Sequence, residues 1–447
     1  MQALVIAAHL IIGLSQSHKP IEATQMAGPT PDAPHVAVIG GWNGVASTAV
    51  ANFRASGVSL TLIPLANPDA SLLVFPPTGV AYRQNPESHY LWRWLDLHGI
   101  DLVICVGDGG ASLATALQRI PAITSSESDL KLPKSIPRSE AHKEIDRRTA
   151  RAPREVAEEL AKFYGHDFSQ PVYINALALI GRLRLGQVDD VRRLAEPYVD
   201  GTRDSLAKAN ATFYAGHLLF AELAARTHAS SDAARYTDRV QAAAELASTP
   251  SGDEMSDGVF MACPILAAAG HMDRALRHLR YMERLDLRPD GLYRHSPLND
   301  AAWGRGNAFP ALGMAWTLEQ NEDPEILRSY QSLIATLAKY QDREGMWHQV
   351  IDQPGSYAEF SSTAMIADAM IKGVRHKWLD AAYESRVQRA WKALLARIGP
   401  EGQLIDVCES TGKQKSAEDY LNRAASNGKD ARGGAMALLL ATDLGKQ

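Results

Sequence analysis

The side chains that could do chemistry fall in four short clusters in the second half of the chain. Ser256-Asp257-Gly258-Val259-Phe260-Met261-Ala262-Cys263-Pro264 puts one carboxyl at the head of an otherwise apolar helix. An aspartate there can satisfy the free N–H groups of the first helical turn. Desolvated by Phe260 and Met261, the same carboxyl would have a raised pKa and could act as a general acid. His295, in Leu292-Tyr293-Arg294-His295-Ser296, could polarise a substrate or assist proton transfer, or be a solvated loop histidine. Trp303-Gly304-Arg305-Gly306-Asn307-Ala308-Phe309 joins an indole that can stack on a sugar ring to a guanidinium that can grip a carboxylate with two bonds. Asn307 adds an amide, and the glycines let backbone approach a ligand closely; a glycine-rich helix entry is the plainer reading. Trp347-His348-Gln349-Val350-Ile351-Asp352 offers a second stacking surface in Trp347, with His348 or Gln349 as its polar partner.

These clusters must be held by helices. Apolar spacing predicts about twelve amphipathic segments, at 152–164, 170–184, 188–198, 206–227, 231–247, 256–269, 272–285, 306–318, 323–341, 357–372, 378–397 and 429–443. Three turns recur between them: Pro289-Asp290-Gly291-Leu292-Tyr293, Arg343-Glu344-Gly345-Met346-Trp347 and Pro400-Glu401-Gly402-Gln403-Leu404. Their glycines stand 54 and 57 residues apart. A repeated unit of two helices and a turn builds a closed helical ring, and glycine supplies the positive φ that such turns need. Twelve helices make six hairpins. The expected fold is therefore mainly α: a six-hairpin (α/α)6 toroid over residues 151–447, preceded by a small α/β domain at 35–124. In that domain His35-Val36-Ala37-Val38-Ile39-Gly40 and two further short β-rich runs, at 58–64 and 101–106, alternate with helical spacing. The polar, proline-containing stretch 125–150 reads as a linker. Residues 1–34 read as a possible signal segment and linker. The apolar run 3–14 is long enough for the centre of an export signal and too short to span a bilayer. A misassigned start or an apolar first segment of the fold is the alternative, so the location is periplasmic or secreted if the segment is cleaved, and cytoplasmic otherwise.

Composition narrows the function classes. At 447 residues, 46% hydrophobic and 22% charged, the chain can bury two cores. Its net charge of -5 gives no electrostatic case for nucleic acid or an anionic membrane. Cys105, Cys263 and Cys408 lie far apart in apolar contexts, without metal-ligand or disulfide spacing.

In this order, the clusters resemble the unsaturated uronyl hydrolases of glycoside hydrolase families 88 and 105, which are six-hairpin toroids. The resemblance covers about 150–447. It extends through Tyr357 to Gly373, the segment Val407-Cys408-Glu409-Ser410-Thr411-Gly412, the triplet Asp419-Tyr420-Leu421 and the small-residue helix after Asp430. It implies hydration of the C4=C5 double bond that polysaccharide lyases leave on a terminal uronic acid. An aspartic acid protonates C4, water adds at C5, and the resulting hemiketal opens and expels the next sugar. The implied partner is an acidic oligosaccharide, with no metal or organic cofactor. Asp257 falls on the family's acid/base aspartate, His295 and Arg305 near positions that contact the unsaturated ring, and Trp303 on a stacking platform. The chain departs from the pattern twice. Asn210-Ala211-Thr212 stands where family members carry a further aspartate, and 249–254 lacks the basic and aromatic residues expected there. A hydrolase or lyase on another acidic glycan, and a non-catalytic glycan-binding protein, are the other readings.

The first domain resembles, more faintly, the α/β fold of zinc carboxypeptidases, at Val38-Ile39-Gly40-Gly41, Asn67-Pro68-Asp69 and Pro86-Glu87 with Leu91-Trp92-Arg93-Trp94-Leu95. Asn43, Ala46 and Gly107 stand at the ligand positions. The resemblance thus implies a domain without the zinc site, which needs about three protein ligands.

Overall fold

The computed structural model describes residues 7–227, 230–247 and 254–446. The chain forms two compact units. The first holds 1–150 with 353–357 and 422–425, and the second holds the remainder.

The first unit is a six-stranded sheet with strand order β1-β2-β4-β3-β5-β6. Its elements are β1 (Ala7–Leu14), β2 (Pro20–Met26), β3 (His35–Ile39), α1 (Thr48–Asn52), β4 (Ser59–Ile63), α2 (Pro86–Leu97), β5 (Leu102–Val106), α3 (Ala111–Ala116), β6 (Ala122–Ser125) and α4 (Glu140–Thr149). Strands β4, β3, β5 and β6 run parallel, while β1 and β2 add on antiparallel. The uninterrupted apolar runs of β3 and β5 suit strands covered on both faces.

Three segments depart from the sequence expectation. Ala7–Leu14, read as the centre of an export signal, is a strand paired along its length with β2. Pro20–Met26, read as linker, is a strand that buries Ile21 and Ala23 on one face and Met26 on the other. Glu140–Thr149 inside the expected second linker is a helix. Ser139 caps it and Glu144 pairs with both Arg147 and Arg148. Among the described residues no group of three or more His, Cys, Asp or Glu side chains is placed to hold a metal ion.

The second unit carries α5 (Pro153–Leu160), α6 (Tyr173–Arg184), α7 (Val188–Val199), α8 (Ala211–Gly216), α9 (Leu218–Ala225), α10 (Ser230–Ala247), α11 (Gly258–Ala268), α12 (Met272–Asp286), α13 (Gly304–Gln320), α14 (Pro324–Lys339), α15 (Phe360–Arg375), α16 (Tyr383–Ala396), β7 (Leu404–Cys408), α17 (Ala417–Leu421), β8 (Ala425–Gly428) and α18 (Ala431–Leu444). An inner ring closes on itself: α6 packs on α8 and α9, α8 on α11, α11 on α13, α13 on α15, α15 on α18, and α18 back on α6. Helices α7, α10, α12, α14, α16 and α5 back the inner ones. The expected (α/α)6 toroid is therefore present. Inner helices have no polar face because both sides are covered, so nearly all of α13 and α15 is buried. Helix contacts are close enough to require glycine: a Cβ on Gly313 would stand 2.7 Å from the Phe260 Cα. The single helix expected at 206–227 is two, divided at His217, whose ring bonds the Phe213 carbonyl at 2.7 Å and Ser205 Oγ at 2.9 Å.

The three recurrent turns are one motif. In each, the first N–H donates to the carbonyl four residues on, as from Arg288 to Leu292, Asp342 to Met346 and Gly399 to Gln403. The glycine N–H donates back in each, at Gly291, Gly345 and Gly402, with φ of 88°, 108° and 73°. At Gly345 an added Cβ would also meet the backbone of Arg389 and Ala390. Gly345→Ala is therefore expected to cost about 2 kcal/mol or more. Gly402→Ala, which meets only the Phe163 side chain, should cost less. Thermal melts of the two variants side by side check the order.

The C-terminal ends of the inner helices share a buried ion network. Asp443 of α18 binds Arg184 of α6 at 2.7 Å and Lys372 of α15 at 3.2 Å, and Lys372 also binds Glu319 of α13 at 2.9 Å. The Arg184 and Lys372 cations lie over the Trp316 ring at 5.6 and 5.3 Å. Burial and the neighbouring Asp443 push the Asp368 carboxyl up to about 7.

Candidate active site

The other end of the ring, where the inner helices begin, gathers the chemistry. Asp257 directly precedes α11 in helical conformation (φ -52°, ψ -29°), and its side chain makes no capping bond. The reading of Asp257 as a plain helix cap is therefore wrong. Its Oδ1 is buried without a hydrogen-bond partner, while the side chain as a whole keeps 16% exposure. The carboxyl thus sits half in apolar surroundings and half toward solvent. His295 Nε2 lies 3.5 Å from Asp257 Oδ1. The ring is set by Tyr420 of α17, whose Oη lies 2.7 Å from Nδ1, and by Trp303, whose ring centroid is 4.3 Å away. Burial, with Asp257 nearby, pushes the Tyr420 phenol up to about 12, so it keeps its proton. A phenol that donates to Nδ1 leaves the hydrogen of a neutral imidazole on Nε2, facing Asp257. The backbone fixes this pair: Ser256 N–H donates to the His295 carbonyl at 3.0 Å, and His295 N–H to the Ala301 carbonyl at 3.3 Å.

Trp303 and Arg305 join the cluster from beneath. Arg305 is 1% exposed, with its guanidinium 4.6 Å from the Trp303 ring centroid. Its terminal nitrogens donate to the carbonyls of Cys408 and Glu409, each at 2.7 Å, and to Ser361 Oγ at 3.2 Å. Arg305 therefore anchors the segment after β7 in this conformation instead of presenting a fork to a carboxylate. Glu359, which caps α15, takes N–H groups from Ser361, Ser362 and Cys408 and stands 3.9 Å from Arg305. The glycines of the Trp-Gly-Arg-Gly run serve close packing of protein on protein. A Cβ on Gly304 would stand 2.8 Å from the His348 carbonyl oxygen, and one on Gly306 would stand 3.0 Å from Ser256 Oγ.

A profile of glycosyl hydrolase family 88 matches residues 141–447. The chain belongs to glycosyl hydrolase family 88. An alignment of 174 residues at 31% identity relates it to the unsaturated rhamnogalacturonyl hydrolase YesR of Bacillus subtilis (strain 168), covering 32% of this chain and 49% of that protein. The chain thus spans about half the length of the curated relative it matches. Two solved structures of family 105 share the fold. A possible member from Klebsiella pneumoniae subsp. pneumoniae MGH 78578 has 22% identity and a TM-score of 0.56, over 71% of this chain and 96% of that one. A glycoside hydrolase from C. acetobutylicum ATCC 824 has 18% identity and a TM-score of 0.54, over 65% and 99%. A family 88 glycosyl hydrolase from Bacteroides vulgatus matches with a TM-score of 0.51 at 17% identity, over 66% and 99%. At these identities the likeness speaks for the fold.

In this family 88 chain the remaining expected residues are placed differently. Trp347, expected as a stacking surface, is fully buried, and its Nε1 donates to the Leu337 carbonyl at 2.8 Å, so it is a core residue. Asn307, expected to bind substrate, is fully buried. Its side chain takes the Tyr293 N–H and gives to the Tyr293 and Trp303 carbonyls, clamping the His295 loop to α13. His348 is tied to Asp342 of the recurrent turn at 3.2 Å. Trp303 itself is 1% exposed, so its contribution is to hold His295 and Arg305. Asn210 is exposed and caps α8 through Thr212 N–H at 3.0 Å. The stretch 249–253, where the sequence departs from the family, lies outside the described residues. Glu254 is ion-paired to Lys413 at 3.5 Å. Tyr420 was legible as part of a motif but not as the residue that orients His295, because 125 residues separate the two.

Proposed function

We propose that this protein hydrolyses unsaturated uronyl oligosaccharides, of the kind lyases release from rhamnogalacturonan-type polysaccharides, by hydrating the C4=C5 double bond. The observation that carries the reading is the Asp257 carboxyl. It heads an inner helix at the mouth of the ring, is free of capping duty, and faces the N–H of an oriented histidine. Asp257 gives its proton to C4. The positive charge left at C5 takes the oxygen of a water molecule, whose proton returns to Asp257, so the acid is regenerated in one turnover. The C5 hydroxyl product is a hemiketal. It opens to a C5 ketone as the ring C5–O5 bond breaks and O5 takes the proton, and the hemiacetal left at C1 collapses to an aldehyde as the bond to the next sugar breaks and that oxygen gains a proton. His295 steadies the carboxylate formed after the first transfer.

An ordinary glycosidase needs two carboxyls facing one glycosidic bond. Among the described residues at this end, Glu359 is engaged by backbone N–H groups and Asp286 is wholly buried, so neither faces Asp257 across a cleft. The family membership and the activity named for the Bacillus subtilis relative support the same chemistry. The test follows the enoate's ultraviolet absorbance on lyase-generated rhamnogalacturonan and glycosaminoglycan disaccharides. Loss of absorbance on either class is expected. A folded protein that leaves both unchanged, yet binds or cleaves saturated uronides, overturns the reading.

A further inference from the structure

We propose that Tyr420 is a positioning residue of the proposed reaction: it fixes which nitrogen of His295 carries the ring hydrogen and so aims a donor at the Asp257 carboxyl. The inference rests on the reading of Asp257 as the proton donor. A phenol has one hydrogen to give and an oxygen that can accept. Tyr420 Oη stands 2.7 Å from His295 Nδ1 and takes the Gln414 N–H at 3.2 Å. Ser296 Oγ, also near the phenol, makes no hydrogen bond. With its oxygen receiving from Gln414, the phenol turns its hydrogen to Nδ1. A neutral imidazole then has its own hydrogen on Nε2. Nε2 lies 3.5 Å from Asp257 Oδ1, and neither atom has a hydrogen-bond partner. A resting site leaves such a gap for a bond that tightens as charge develops. With the hydrogen on Nδ1 instead, Nε2 would turn a lone pair on the carboxylate, and repulsion would replace the bond.

Tyr420 is held so that its hydroxyl cannot turn away. The side chain is fully buried. Its ring meets His295 edge-on at 5.5 Å and Trp303 at 6.3 Å. Its backbone carbonyl takes Gln349 Nε2 at 3.1 Å, and the carbonyl of Gln414 takes Asn299 Nδ2 at 2.7 Å. Asn299 belongs to the same loop as His295, so the two ends of the Tyr420–His295 bond are fastened to each other a second time. No residue from Gly412 to Asp419 is buried. Tyr420 is therefore the side chain through which this exposed segment enters the site. Packing against Trp303 would be served equally by phenylalanine; the hydroxyl is what His295 uses.

The experiment is a cycle of Tyr420→Phe, His295→Ala and the double variant, assayed on an unsaturated disaccharide. Tyr420→Phe keeps the ring and is expected to lower kcat about tenfold or more, with KM within about twofold of the wild type. Added to His295→Ala it should change kcat by less than about twofold, since a residue that acts through His295 then has nothing left to act on. A further loss of more than about twofold on top of His295→Ala, or wild-type kcat in Tyr420→Phe, overturns the inference and leaves the proposed reaction standing. The tautomer is also read directly, from nitrogen NMR spectra of protein carrying isotope-labelled histidine, with His295→Ala giving the assignment. The wild type should show a hydrogen on Nε2 and a bare Nδ1, and Tyr420→Phe a mixture of the two tautomers. A wild type with the hydrogen on Nδ1 has its phenol turned to Ser296 and refutes the inference. These spectra need no turnover. A wild type without activity counts against the reaction, and the tautomer still decides whether Tyr420 sets His295.

Discussion

Asp257→Asn is expected to remove turnover of unsaturated disaccharides by a factor of about 10³ or more while the protein stays folded. The amide keeps the size and shape of the carboxyl, and no capping bond is lost, because the Asp257 side chain makes none. In the proposed reaction, what disappears is the proton for C4 and the base for the attacking water. His295 sits 3.5 Å away with its ring held by Tyr420. Circular dichroism and melting temperature should match the wild type. A variant that retains a tenth of wild-type kcat shows that the proton comes from elsewhere.

The largest structural effect is expected from Glu359→Ala. This carboxylate is fully buried, caps α15, and accepts from Cys408 N–H at 2.9 Å and Ser361 Oγ at 2.8 Å. Its removal unsatisfies these donors and takes away a carboxylate 3.9 Å from the buried Arg305 guanidinium. The cost should be about 3–5 kcal/mol, seen as poor solubility or a sharp drop in melting temperature. Glu359→Gln keeps one acceptor oxygen and should fall between alanine and the wild type. Pairing Glu359→Ala with Arg305→Met should cost less than the sum of the two changes, because the stranded cation is then gone. Strict additivity would show that the two side chains act separately.

The helical ring was legible in the sequence because covered inner helices and striped outer ones both leave apolar spacing. The turn glycines were legible because a positive φ restricts residue type. The first unit was less so. An apolar run such as that in β1 has the same composition in a strand and in a signal segment, and β2 mixes Glu22, Thr24 and Gln25 with its three buried residues. Helix α4 buries only Ala141, and its order comes from a cap and ion pairs that leave no apolar stripe. At the site, Asp257, His295, Trp303 and Arg305 do converge. Trp347 and Asn307 misled because an aromatic or an amide has the same identity whether it faces a cleft or the core. Only the fold shows that Trp347 points at Leu337 and Asn307 at its own loop.

The ion network around Asp443 has a consequence for the ring itself. Arg184, Lys372, Asp368 and Trp316 tie α6, α13, α15 and α18 together at the ends opposite Asp257. Loss of any one charged partner would strand the others in a buried setting, so four neighbouring inner helices are fastened as a unit at the end away from Asp257.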